Sequence, residues 1–222
     1  EETAVIPGLG LALLPGPQGF TPRPGSYRLN PSYSPIQLMR RLAALHAQTA
    51  WSEIAATSLV LIVQSSPHGY APDWVLHQDG ALVPDTQTQG VGSYDAIRVY
   101  LWAGLMHEDE PARTVLLAAL APMARQTADE GLPPLRVDTA SGAVRGSGPV
   151  GFSAAVLPFL AVSNLPAAER AQRQRLTAEQ PLTRQGNYYD QVLTLFGLGW
   201  ADEQYRFARG GALIPKWSCS AN

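Results

Sequence analysis

The sequence predicts an all-α fold with minor β decoration. Three observations carry that reading: apolar residues recur at helical spacing over long stretches, strand-like runs are short, and the connecting segments are long and rich in Gly and Pro, 20 and 19 residues in all. Helices paired through elaborate loops suggest an α/α toroid whose loop ends form a cleft. The 222 residues suffice for one substantial domain with a buried core and are too few for two comfortable ones, so residues 1–222 read as a single domain.

The elements follow in order. "LALLP" (11–15) is a short strand. "SPIQLMRRLAALHAQ" (34–48) opens on Ser-Pro, which suits a cap and first turn. "WSEIAATSLVLIVQSS" (51–66) carries an apolar face at Ile54, Ser58, Leu61 and Ile62. "DWVLH" (73–77) with the turn "QDGAL" reads as a strand, and "SYDAIRVYLWAGL" (93–105) as a helix capped by Ser93. Further helices are expected at 110–128, 151–162, 167–179 and 187–200, and a small hairpin across "RGG" at 205–215.

Composition removes several functions. Hydrophobic residues make up 45%, charged residues only 15%, and the formal charge is −2, with basic residues scattered rather than striped. Nucleic acid and anionic membrane are poor partners for such a surface. Apolar runs such as "SLVLIV" (58–63) are far short of the roughly 18 residues a membrane span needs. The opening "EETAVIPGLG" lacks the pattern of a signal peptide. The lone cysteine, Cys219, makes neither an internal disulfide nor a zinc site, and reads as a free thiol or as half of a disulfide to a partner outside these residues.

Helical spacing would place Asp95, Arg98 and Trp102 on one stripe: acid, cation and aromatic plate. An Asp in a first helical turn is kept ionised by the dipole and free amides, and an ionised carboxylate suits a general base. The bland alternative is a surface ion pair. Sugars favour clefts that combine aromatic platforms with Asp, Asn and Arg. Four clusters, "NPSYS" (30–34), "YAPDW" (70–74), "SYDAIRVYLW" (93–102) and "NYYD" (187–190), place aromatics beside Asn or Asp at loop–helix junctions. Tyr100 reads equally well as core. His46, His68, His77 and His107 show no metal spacing, no GxGxxG opens a helix after a strand, and no GxSxG occurs, so no metal and no cofactor is expected. "GSGPVGFSAA" (146–155) lacks a phosphate loop's Lys and reads as a loop feeding a tightly packed helix.

The blocks "VIPGLGLALLPGPQGF" (5–20), "LNPSY" (29–33), "GYAPDWV" (69–75), "GSYDAIRVYLWAG" (92–104), "GPVGFSAAVLPFL" (148–160) and "YYDQVLTLFGLGW" (188–200) resemble glycoside hydrolase family 8, in order and over essentially the whole chain. Within it, the wording is similar to the endo-β-1,4-glucanases (cellulases) that accompany bacterial cellulose synthase. The resemblance implies an (α/α)6 barrel, a periplasmic or secreted setting, a β-1,4-glucan substrate and inverting hydrolysis. It implies Asp95 as general base and Tyr33 as the tyrosine that positions water. Asn30, Asp73, Trp74, Tyr94, Arg98, Trp102 and Tyr188 fall in matching blocks, and their chemistry suits glucan contacts.

Family members also carry an "SEGQSYG"-like block with the general-acid glutamate and an "ASDGD"-like block after it, and neither occurs here. The chain resembles roughly the C-terminal two-thirds of a member. The resemblance therefore implies an acid outside these residues, an open barrel, and a companion chain bearing the missing helices, to which Cys219 could be disulfide-bonded. Alternatives are a non-catalytic glucan-binding or scaffold fragment, and a family 8 enzyme acting on xylan, chitosan or mixed-linkage glucan.

Overall fold

The structure, a computed structural model, describes residues 2–183 and 186–217. Cys219 lies outside the described residues. Among the described residues eight α-helices dominate: α1 (Ile36–Leu45), α2 (Trp51–Gln64), α3 (Ile97–Leu105), α4 (Pro111–Ala119), α5 (Ala121–Glu130), α6 (Val150–Val162), α7 (Pro166–Glu179) and α8 (Tyr188–Ala201). Ten short strands among the same described residues decorate them: β1 (Thr3–Ile6), β2 (Gly10–Leu13), β3 (Tyr27–Leu29), β4 (Val75–Gln78), β5 (Ala81–Pro84), β6 (Val91–Gly92), β7 (Pro134–Asp138), β8 (Val144–Ser147), β9 (Tyr205–Phe207) and β10 (Leu213–Pro215). The all-α expectation holds.

The helix expected over 110–128 is two helices. Pro122 has no N–H to offer the Ala118 carbonyl, and the chain bends at Leu120 before restarting. The hairpin across "RGG" is β9–β10, antiparallel with Phe207 opposite Leu213. The "QDGAL" turn joins β4 to β5, with Asp79 and Gly80 both at positive φ. The sheets β3–β4–β5 and β6–β7–β8 are antiparallel, and β1, β3, β6, β7 and β8 had no distinct signal in the sequence.

The core is built around α6. Every residue from Val150 to Leu160 is buried, so this helix is apolar on all sides rather than striped. Its neighbours α3, α7 and α8 pack directly on it. Two glycines allow the closest approaches: a Cβ on Gly104 of α3 would stand 2.4 Å from the Phe159 nitrogen, and one on Gly197 of α8 would stand 2.0 Å from the Ala154 carbonyl oxygen. That carbonyl lacks its usual helical donor because residue i+4 is Pro158. Tyr100 is core, edge-on to Phe159 with centroids 5.6 Å apart. Ile54, Ser58, Leu61 and Ile62 form the buried face of α2, as their spacing predicts.

No helix among the described residues is long and apolar enough to cross a membrane.

Candidate active site

The site forms where the segment before β4 meets the turn that leads into α3. Gly92 makes the meeting possible: a Cβ there would lie 2.2 Å from the Ala71 carbonyl oxygen. The approach is fixed by Ala71 N–H donating to the buried Tyr100 hydroxyl at 2.9 Å and by Asp73 N–H donating to the Val91 carbonyl at 2.8 Å. Burial pushes the Tyr100 phenol well above its ordinary pKa, so it stays neutral and can accept and donate.

Asp73 is the architect of the turn. Its Oδ1 accepts from the backbone N–H groups of Ser93, Asp95 and Ala96 at 2.8, 2.9 and 2.7 Å. These amides precede α3 and would otherwise lack partners. The expected cap, Ser93, instead donates its hydroxyl to the Leu135 carbonyl at 2.7 Å. The helix starts at Ile97, so Asp95 sits in the preceding turn and not within the helix. Burial raises the Asp73 pKa; the backbone donors pull it down, and the neighbouring Asp95 carboxylate pushes it up.

Asp95 is held by both oxygens. Oδ1 accepts from Arg98 Nη2 at 2.7 Å and Oδ2 accepts from Trp74 Nε1 at 2.9 Å. Arg98 also donates from Nη2 to Ser32 Oγ at 2.7 Å and from Nη1 to the Tyr189 hydroxyl at 3.3 Å. Burial works to lower the Arg98 pKa, but Tyr189 and Asp95 more than offset it, and the guanidinium stays charged. Tyr33 is 44% exposed, stands edge-on to Trp74 with centroids 5.9 Å apart, and has the Arg98 guanidinium 5.7 Å from its ring centre. A carboxylate fixed at two points keeps lone pairs with which it can take a proton from water, and the exposed Tyr33 stands beside the two groups that fix it.

The remaining expected residues are distributed unevenly. Asn30 is buried and caps the 3-10 turn Pro31–Tyr33, its Oδ1 accepting from Ser32 N–H at 2.9 Å and from Ser32 Oγ at 2.6 Å. It reaches Asp95 only through Ser32 and Arg98. Tyr94 is half-exposed, edge-on to Phe152 at 5.2 Å. Trp102 packs edge-on against Phe196 of α8 at 5.8 Å, so the expected acid–cation–aromatic stripe ends at Arg98. Tyr188 is 80% exposed. Its neighbour Tyr189 belongs to the cluster, donating its hydroxyl to the Tyr94 carbonyl while accepting from Arg98. Burial raises the Tyr189 pKa against the pull of Arg98, keeping that hydroxyl protonated. Residue 189 shares a helix face with the buried Leu193 and Gly197, a spacing that distinguishes it from Tyr188. Among the described residues, no three His, Cys, Asp or Glu side chains come together to hold a metal.

A family model, Glycosyl hydrolases family 8, matches residues 1–203. The chain belongs to that family. It is 45% identical over 222 residues to an endoglucanase of Xanthomonas axonopodis pv. citri (strain 306), covering 100% of this chain and 58% of the relative. An endoglucanase of Escherichia coli (strain K12) is 41% identical over 218 residues, 98% of this chain and 57% of its own length. The crystal structure of endo-1,4-D-glucanase from Vibrio fischeri ES114 superposes with a TM-score of 0.88 at 38% identity, covering 97% of this chain and 63% of that one. The chain thus spans just under three-fifths of the curated relatives' length. Family 8 structures are (α/α)6 barrels, and the helices described above are part of that toroid.

Proposed function

We propose that this chain is the base-bearing part of a family 8 catalytic domain, acting as an endo-β-1,4-glucanase by single displacement with inversion. Asp95 deprotonates a water that Tyr33 orients, and a glutamate outside these 222 residues protonates the leaving oxygen. The observation that carries the reading is the Asp95 carboxylate, anchored by Arg98 and Trp74 beside the exposed Tyr33. Relatives named endoglucanases at 41–45% identity support the substrate class. The proposal extends to a cellulose-synthesis role and a periplasmic or secreted setting.

Exposed apolar side chains support a companion segment that supplies the acid. Leu195 and Phe196 of α8 and Leu213 and Ile214 of β10 are exposed apolar side chains. Tyr205 of β9 donates its hydroxyl to the Phe196 carbonyl at 2.8 Å, which joins the two patches. Helices from a companion segment would cover them.

The test is proton NMR of the first products formed from cellohexaose, by this chain alone and with the upstream segment of the longer relatives supplied. The expected result is cleavage only with the segment present, giving α-anomers first. β-Anomers first would reject inversion. Tight binding without cleavage in both samples would favour the non-catalytic scaffold.

A further inference from the structure

Asp85 and Arg28, which none of the roles above uses, form an assembly with Trp74. The register of β3–β4–β5 sets it up. Leu29 lies opposite Val75, and Val75 opposite Pro84, so Trp74 and Asp85 are one step beyond the end of the ladder on neighbouring strands. Arg28 is opposite Leu76, two residues from Trp74, and alternation puts Arg28, Trp74 and Asp85 on the same face of the sheet.

Asp85 is only 2% exposed. It receives Arg28 in a two-point grip, Nε to Oδ1 at 2.9 Å and Nη2 to Oδ2 at 3.2 Å. Oδ2 also accepts from Thr88 N–H at 2.9 Å and Thr88 Oγ1 at 3.0 Å. Burial works against the charged form, yet the Arg28 and Thr88 donors hold the Asp85 pKa below its ordinary value, so the carboxylate stays ionised. The guanidinium so fixed has its carbon 4.0 Å from the centre of the Trp74 ring, and Phe20 stacks parallel to that ring with centroids 5.9 Å apart. The other end of the indole donates to Asp95 Oδ2. A buried ion pair is a costly way to fill space. A planar cation gripped at two points is a good way to fix an indole's tilt. It also draws electron density from the ring, which makes the N–H a stronger donor.

We propose that Asp85 and Arg28 are positioning residues for the hydrolytic base: Asp85 fixes Arg28 over Trp74, and Trp74 thereby holds its N–H on Asp95. The chemical half of this statement rests on the reading of Asp95 as base; the geometric half does not. It also changes the part played by Trp74, from a sugar platform to a strut whose ring carries a cation. Besides Trp74 and the proposed water-positioning Tyr33, Arg98 on α3, Asp73 from the segment before β4 and Tyr189 on α8 act on Asp95.

Two measurements on the chain joined to the upstream segment of a longer relative test the proposal. In cellohexaose hydrolysis, Arg28→Gln should lower kcat about tenfold or more with KM within about twofold. Arg28→Lys, which keeps the charge and the Asp85 pair but lacks the plane, should not restore kcat. Trp74→Phe should cost as much, and adding Arg28→Gln to it should cost nothing further. In a proton–nitrogen spectrum, the indole N–H of Trp74, identified by its loss in Trp74→Phe, should move on Asp95→Asn. That displacement should fall to less than half in an Arg28→Lys or Asp85→Asn background. An unchanged displacement together with unchanged kcat, or fully additive losses in the double variant, would overturn the proposal. If the unmodified protein hydrolyses nothing, the glucanase reading fails, and the indole displacement alone decides whether Asp85 and Arg28 place Trp74 on Asp95.

Discussion

The neighbourhood of α6 and the rim around Asp95 are held together by opposite means. Around α6 the contacts are mostly apolar and close, with Gly104 and Gly197 letting backbones meet, and charged groups reach the helix in its first turn, where Asp190 accepts from Gly151 N–H and Arg175 donates to Ser153 Oγ. Around Asp95 the contacts are directional. Asp73 collects three amides, Arg98 bridges Asp95, Ser32 and Tyr189, and Trp74 is gripped through Arg28 by a buried carboxylate. Close packing fixes where the backbone goes but does not aim a charge. Hydrogen bonds to ionised groups do aim one, at the expense of desolvation. The hub therefore supplies stability and the rim supplies orientation.

The sharpest challenge to that division is Asp85, a rim residue that should behave like the core. Asp85→Ala leaves Arg28 without its buried partner and is expected to cost about 3–5 kcal/mol in urea unfolding. Its pH dependence has a definite sign. A carboxyl held below its ordinary value contributes stability above the unfolded pKa and loses it as pH falls through the folded one. The acid limb of stability below about pH 4 should therefore be shallower in Asp85→Asn than in the unmodified protein. Asp73, raised by burial, has the opposite sign: its contribution is present at low pH and lost as pH rises through its folded value.

At the hub, Gly197→Ala forces a methyl against the Ala154 carbonyl and should cost about 1–3 kcal/mol, with turnover per folded molecule unchanged. Equal loss of turnover would erase the distinction. Asp73→Ala removes the cap of the turn at about 1–2 kcal/mol, and turnover should fall further than stability does. The smallest effects separate two adjacent tyrosines. Tyr189→Phe should cost about 0.5–1.5 kcal/mol, whereas Tyr188→Phe should stay within about 0.5 kcal/mol. Thermal unfolding of the pair, side by side, checks this.

The same division explains what was legible in the sequence. Periodicity located the helices because apolar spacing is what packs them, and the RGG and QDG turns announced their hairpins through residues that accept positive φ. Pro122 was visible too, though apolar periodicity across 110–128 masked the break. β7 and β8 flank a small turn and carry no sustained alternation, so their pairing depends on tertiary contact. At the site, helical spacing pointed to Asp95 and the family resemblance to Tyr33, but their partners could not be read. That Asp73 rather than Ser93 caps the turn depends on Gly92 admitting the Ala71 backbone. The choice of Tyr189 over Tyr188 depends on the phase of α8, and Trp102 turns to Phe196 because α3 and α8 both pack on α6. The Asp85–Arg28 pair spans 57 residues, and no local pattern announces it.

The measurement that bears most directly on the account is turnover and cellohexaose binding by Asp95→Asn in the chain joined to the upstream segment of a longer relative. The account expects turnover to drop by about a hundredfold or more, with affinity within about threefold, since a general base contributes to the transition state far more than to the bound substrate. Turnover close to that of the unmodified protein would contradict it, because a carboxylate held by Arg98 and Trp74 would then have no part in the chemistry.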